Sequence, residues 1–142
     1  MANPIKVIKS DHIVLNVQNL ESSLHFYAEV LGMSVERLEE YQAGKAPFPS
    51  VRMGEQLIDL FPPNLSKAAE FSDYTHQRVN HFCVCISAEV SISEIETYLQ
   101  EKGVQIKSRS NRNFGAFGYG PSLYILDPDA NIVELKQYFQ EV

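Results

Sequence analysis

Residues 122–138 read Ser-Leu-Tyr-Ile-Leu-Asp-Pro-Asp-Ala-Asn-Ile-Val-Glu-Leu-Lys-Gln-Tyr, and this stretch decides the fold. It predicts two strands joined by a tight turn at Asp127-Pro128-Asp129-Ala130-Asn131. Proline fixes φ there, and Asp and Asn side chains bond nearby backbone. Tyr124 precedes the turn and Glu134 follows it, inside the apolar strand Ile132-Val133-Glu134-Leu135. Burying an ionised carboxylate alone costs several kcal/mol, so Glu134 needs a partner. His12 and His81, near the starts of two matching segments, are the candidates.

Working back from this stretch, residues 111–121 (Asn-Arg-Asn-Phe-Gly-Ala-Phe-Gly-Tyr-Gly-Pro) read as a glycine-rich aromatic loop, either gating a pocket or serving as an exposed connector. Val104–Ser108 is strand-like, and Ser91 with Glu94 forms a capping box for a helix carrying Ile92, Ile95 and Leu99 on one face and ending at Gly103. Residues 80–87 form the strand that holds His81, and residues 64–78 read as a linker. The first half repeats the order. His12–Val17 is a strand, and Asn19 caps a helix whose face is Leu20, Leu24, Tyr27 and Leu31, with Gly32 after its end. Strands follow at 34–39, 50–53 and 56–61. Each half therefore reads strand, helix, three strands. His12 precedes Asp59 by 47 residues and His81 precedes Glu134 by 53, the mark of an internal duplication.

Strand side chains alternate faces. If Ile13, Leu15, Ile58, Leu60, Phe82, Val84, Val133 and Leu135 lie under helices, then His12, Asn16, Asp59, Phe61, His81, Cys83, Glu134 and Lys136 share the other faces. A strand histidine taken singly is more often a packed or surface residue. The repeated spacing and shared parity are what favour a metal held by His12, His81, Glu134 and Asp59. A cation offsets buried negative charge, and neutral imidazole supplies a lone pair. Two imidazoles with one or two carboxylates suit one divalent ion per site, Fe, Mn, Ni, Co or Zn, with open positions for substrate. Asn16, Phe61, Cys83, Arg112 and Phe117 are the candidate substrate contacts, with Glu134 and Tyr124 the candidate catalytic groups.

The chain of 142 residues is one domain's length, with modules expected over about 8–63 and 79–140. A net charge of −6 argues against a nucleic-acid partner. No run approaches the ~18 apolar residues of a membrane span. Cys83 and Cys85 lie two apart on one strand and make an improbable disulfide. The N-terminal residues lack the apolar core of a signal peptide, and a cytoplasmic location is expected.

The chain resembles the vicinal oxygen chelate superfamily, which includes glyoxalase I, fosfomycin- and bleomycin-resistance proteins and extradiol dioxygenases. The resemblance covers nearly the whole chain. It rests on Asp11-His12-Ile13, on Ser23-Leu24-His25-Phe26-Tyr27 running to Val30-Leu31-Gly32-Met33, on Asn80-His81-Phe82, and on Tyr124-Ile125-Leu126-Asp127-Pro128-Asp129 running to Glu134. It implies an α+β fold of two βαβββ modules whose four-stranded mixed sheets form a cleft around a divalent metal at His12, His81 and Glu134. Asp59 stands where glyoxalase-type members place a fourth ligand, usually Glu or Gln, and is one methylene shorter than Glu.

The departures separate reactions. The stretch 115–119 lacks the acid/base histidine of extradiol dioxygenases; Asn16 and Pro63 replace the Arg and Asn of glutathione-using glyoxalases; Val14 replaces the Thr or Cys of fosfomycin transferases. The expectation is a metal-dependent glyoxalase-like lyase or isomerase, acting as a homodimer on a small molecule that chelates through adjacent oxygens. The alternatives are a dioxygenase and a metal-free small-molecule or antibiotic-sequestering protein.

Overall fold

The computed structural model describes residues 6–66, 79, 81–140 and 142. The elements of the first half are β1 (His12–Asn16), α1 (Leu20–Leu24) continuing as a π-helical turn (His25–Val30), β2 (Val35–Glu36), α2 (Leu38–Gln42), β3 (Ser50–Met53), β4 (Gln56–Phe61) and α3 (Pro63–Ser66). The second half contributes β5 (Phe82–Cys85), α4 (Ile92–Glu101), β6 (Ile106–Gly115), β7 (Gly118–Leu126) and β8 (Ile132–Lys136). Two four-stranded sheets result, ordered β1-β4-β3-β2 and β5-β8-β7-β6. In each, the first strand runs parallel to the last, and the remaining pairs are antiparallel. The fold is α+β with mixed sheets, as the family resemblance implies.

The caps form as the sequence dictates. The Asn19 side chain accepts from the Ser22 N–H, and Ser91 and Glu94 close their capping box. Gly32 and Gly103 take positive φ of 78° and 76° just past their helices, where a Cβ would be strained. The first helix puts its expected face, Leu20, Leu24, Tyr27 and Leu31, on the core, but it does not keep 3.6-residue winding to its end. Its second half is π-helical, with the Leu31 N–H reaching back to the Phe26 carbonyl. Phe26 is buried beside Tyr27, and their rings meet edge-on at 4.9 Å.

Three further expectations change. The run 34–39 is a two-residue strand followed by α2, because Arg37 turns the chain with φ of 62°. The strand containing Cys83 starts at Phe82, one residue after His81. Of the expected linker, residues 67–78 lie outside the described residues, and its beginning belongs to the short helix α3.

The apolar faces of both sheets feed one core, with Val51, Ile58 and Leu60 from the first and Leu123, Ile125, Val133 and Leu135 from the second. Polar contacts fasten the halves beside it. The buried Tyr27 hydroxyl donates to Asp127 Oδ2 at 2.7 Å, and the Tyr98 hydroxyl donates to the Val30 carbonyl at 3.0 Å. Asp127 also accepts from the backbone N–H groups of Asp129 and Asn131, which closes the turn between β7 and β8. Since alternate side chains take the core, the faces carrying His12 and His81 turn outward from it. Among the described residues, no helix is long and apolar enough to cross a membrane.

Candidate metal centre

Glu134 sits mid-strand in β8 and is 5% exposed. Its Oε1 accepts from the Ser122 hydroxyl at 2.7 Å and from Asn113 Nδ2 at 2.8 Å. Its Oε2 lies 3.1 Å from His81 Nε2. Burial pushes this carboxyl up, but the Ser122 and Asn113 hydrogen bonds, with the charges of His81 and Lys136, outweigh it and hold Glu134 below the usual carboxylate range. Tyr124 lies directly across the ladder from Glu134. Its hydroxyl accepts from Asn113 Nδ2 at 2.7 Å, and its ring meets the His81 ring edge-on at 5.5 Å. Burial, then the Glu134 charge, pushes the Tyr124 phenol up, so it keeps its proton at neutral pH.

The first module carries a similar pair. His12 Nε2 is 3.7 Å from Asp59 Oδ2, and Asp59 Oδ1 accepts from Ser50 Oγ at 2.6 Å. The His12 Nδ1 side meets Asp11 at 2.6 Å. That hydrogen bond, then the Asp59 charge, raises the His12 pKa. The equivalence extends to register. Val14 pairs with Asp59 and Cys83 with Glu134, so each histidine stands two residues before the strand partner of its carboxylate.

The two pairs remain separate. Among the described residues, no group of three or more His, Cys, Asp or Glu side chains is placed to hold a metal. The structure thus joins His81 with Glu134 and Tyr124, and His12 with Asp59.

The candidate substrate contacts divide between the modules. Asn16 pairs with Phe61 at the end of the β1–β4 ladder, and the Phe61 ring packs on Phe48 at 4.7 Å. Burial, then the Glu134 charge, pushes the Cys83 thiol up to about 12. Arg112 stacks 3.7 Å over the Tyr119 ring, and Phe117 meets Tyr138 edge-on at 5.7 Å.

The expected gating loop is a β-hairpin, β6 and β7, turning at Ala116–Phe117. Two of its glycines answer a steric demand. A Cβ at Gly120 would collide with the Gln137 carbonyl, and one at Gly115 with the Tyr138 hydroxyl.

Asn113, Ser122 and Lys136 are absent from the expected site, although all three touch it or each other. Ser122 and Lys136 share the strand parity of Glu134 and were legible that way. Asn113 was hidden by a register shift in β6 between Ser110 and Asn113, which adds a residue to one strand and changes the face that follows.

The model of the Glyoxalase/Bleomycin resistance protein/Dioxygenase superfamily matches residues 9–135. The virulence protein STM3117 of Salmonella typhimurium is 27% identical over 128 residues, covering 90% of this chain and 83% of that protein. Its crystal structure superposes with a TM-score of 0.69 at 26% identity, covering 94% of this chain and 99% of that one. The glyoxalase domain-containing protein RDO1 of Mycosarcoma maydis is 30% identical over 135 residues, covering 94% of this chain and 70% of that protein. With two sheets of the same topology and a family match across nearly its whole length, the chain belongs to the Glyoxalase/Bleomycin resistance protein/Dioxygenase superfamily, the vicinal oxygen chelate fold.

Proposed function

We propose that the protein is a divalent-metal-dependent, glyoxalase-like lyase or isomerase whose site is completed by a second copy of the chain. The observation that carries this reading is the matched pair of half-sites, His12 with Asp59 and His81 with Glu134, in the same strand register. The donor set fits a metal. Glu134 has one oxygen already bonded twice and the other aimed at an imidazole nitrogen, and the four groups together offer two nitrogens and two carboxylates. His12, His81 and Glu134 would hold the ion, with Asp59 as a fourth donor. When bound, the cation would polarise a substrate oxygen as a Lewis acid.

The chain's own groups supply the rest. Glu134 is held ionised, and the lone pair left on its Oε2 beside the ion is the one that would take a proton from a carbon beside a carbonyl. Its lowered pKa makes it a weak base, so the polarised carbonyl must supply the acidity. Tyr124 keeps its phenolic proton and would donate a hydrogen bond to charge developing on a substrate oxygen. Phe61, resting on Phe48, offers an apolar wall for the substrate.

Sharing between two copies is supported by the partly exposed histidines and by the separation of the pairs within one chain. A twofold dimer would bring the first module of each chain to the second module of its partner. Metal content after incubation with Ni(II), Co(II) or Zn(II) tests the first part, with one ion per chain expected. No bound ion at saturating concentration overturns the reading.

Mixing two inactive variants tests the second. His12→Ala and His81→Ala chains, refolded together, should recover about a quarter of the wild-type metal sites, because half of random twofold dimers are mixed and each mixed dimer keeps one intact site. No recovery on mixing, or a solution mass near 16.1 kDa, rejects the shared site. Oxygen uptake with Fe(II) would replace the lyase reading by a dioxygenase.

A further inference from the structure

Lys136 is 1% exposed, two residues beyond Glu134 on the same face. A buried ammonium needs acceptors, and Lys136 finds them in the Asn113 carbonyl at 2.7 Å, the Gly120 carbonyl at 3.0 Å and the Asn113 side-chain Oδ1. This fixes the Asn113 amide. With Oδ1 on the ammonium, Nδ2 faces Glu134 Oε1 and the Tyr124 hydroxyl. The flipped amide would set NH2 against NH3⁺ and a carbonyl oxygen against a carboxylate. Lys136 and Glu134, at its two ends, therefore demand the same orientation.

The bulge in β6 makes this possible. Ser110 pairs with Ser122, but Asn113, three residues on, pairs with Gly120, only two residues back along β7. The extra residue carries Asn113 onto the face shared by Gly120, Ser122 and Tyr124, and leaves Arg112 to stack on Tyr119.

We infer that Asn113, locked by Lys136, is a positioning residue that occupies Glu134 Oε1 together with Ser122 and so reserves Oε2 for a cation. The inference rests on the metal reading above and adds to it a one-oxygen mode of ligation and the residues that impose it. A carboxylate with both oxygens free could swing or bind through both. One oxygen anchored by two donors presents the other at a fixed angle toward His81. Partners that orient ligands in this way govern metal affinity.

Co(II) titration followed by visible absorption tests it, carried to millimolar ion so that weak variants are still measured. Wild type is measured first. If it binds no Co(II), the metal reading fails and takes this inference with it. If wild type binds, Asn113→Ala should weaken binding roughly 10- to 100-fold, and Lys136→Met should weaken it in the same direction. In a Glu134→Gln background the further loss on Asn113→Ala should vanish, because the residue acts only through that carboxylate. An unchanged dissociation constant in Asn113→Ala overturns the inference while leaving the metal reading intact. So does an undiminished loss in the Glu134→Gln background, which would mark Asn113 as generally structural. Should Lys136→Met fail to fold, the Asn113→Ala cycle alone decides.

Discussion

The two modules hold equivalent residues with unequal support. Both histidines stand two residues ahead of the residue facing a carboxylate, and both carboxylates accept a serine hydroxyl. Behind Glu134, however, lies a second donor, Asn113, and behind that the buried Lys136. Asp59 has the Ser50 bond, and its histidine is drawn toward Asp11 on an exposed edge. The two modules present one kind of side-chain pair twice in the same register, and the bulge of β6 places a scaffold around one of them. The difference teaches that the second module is the preorganised half of the proposed centre, and the first module the adaptable half.

The sharpest way to break this comparison is to remove one ligand from each side. His81→Ala should lose most bound metal, and Glu134→Gln should weaken binding by at least ~100-fold, as expected for a ligand fixed by its surroundings. Asp59→Asn should cost at most ~10-fold, because its shorter side chain is held by fewer donors. Calorimetric titration of the three variants checks the order. Equal losses for Glu134→Gln and Asp59→Asn would mean four equivalent ligands and would erase the asymmetry.

The same asymmetry should appear in acid without any metal. Glu134 is held below its ordinary range in the folded chain, so the unfolded chain binds that proton more readily. The stabilisation is full above the unfolded carboxyl value, about 4.3, and is lost as pH falls through the lower folded value. Thermal melts in chelator between neutral pH and the acid limb should show wild type losing stability more steeply than Glu134→Gln. Parallel curves would show that the donors around Glu134 do not favour its ionised form.

Much of this was legible in the chain itself. Period-two alternation placed Ile58, Leu60, Val133 and Leu135 inward and the candidate ligands outward, and capping residues marked both helices. What alternation cannot register is a change of step. The π-helical turn adds a residue to a helical repeat, and the β6 bulge adds a residue to a strand and delivers Asn113 to Glu134. Glycine also misled. Gly115 and Gly120 suggested a mobile gate, while in the hairpin they leave room for Tyr138 and the Gln137 backbone. The pairing of His12 with Asp59 and of His81 with Glu134 followed from register; their separation in one chain followed from how the two sheets share a core, which no local pattern encodes.

A smaller effect concerns the fastening between the modules. Tyr27 is fully buried, and its hydroxyl spans from the first module to Asp127 in the turn of the second. Tyr27→Phe keeps the ring and removes one hydrogen bond to a carboxylate, at a cost of about 1–3 kcal/mol. Asp127 retains its bonds from Asp129 and Asn131, which keeps the loss within that range. Denaturant unfolding should register it as a lower midpoint with an unchanged slope, and metal affinity should stay near wild type. A large fall in metal affinity would mean that the modules' mutual orientation, and not only their separate half-sites, sets the geometry of the centre.

The smallest expected effect is at the cysteines, where the two strands β1 and β5 differ most. Cys83 and Cys85 occupy the places that Val14 and Asn16 hold in the first module, so soft donors stand beside only one of the two half-sites. Without a metal the Cys83 thiol is pushed up to about 12, first by burial and then by the charge of Glu134. Nitrogen and oxygen donors already complete the proposed ligand set, which leaves the thiols no expected part as ligands. Replacing both with alanine should leave the dissociation constant for Zn(II), the ion most ready to accept sulfur, within ~10-fold of wild type. Cobalt-substituted protein should likewise show no sulfur-to-metal charge-transfer band. Such a band, or a loss matching that of His81→Ala, would place sulfur in the centre and make the second module's half-site different in kind, rather than only better supported.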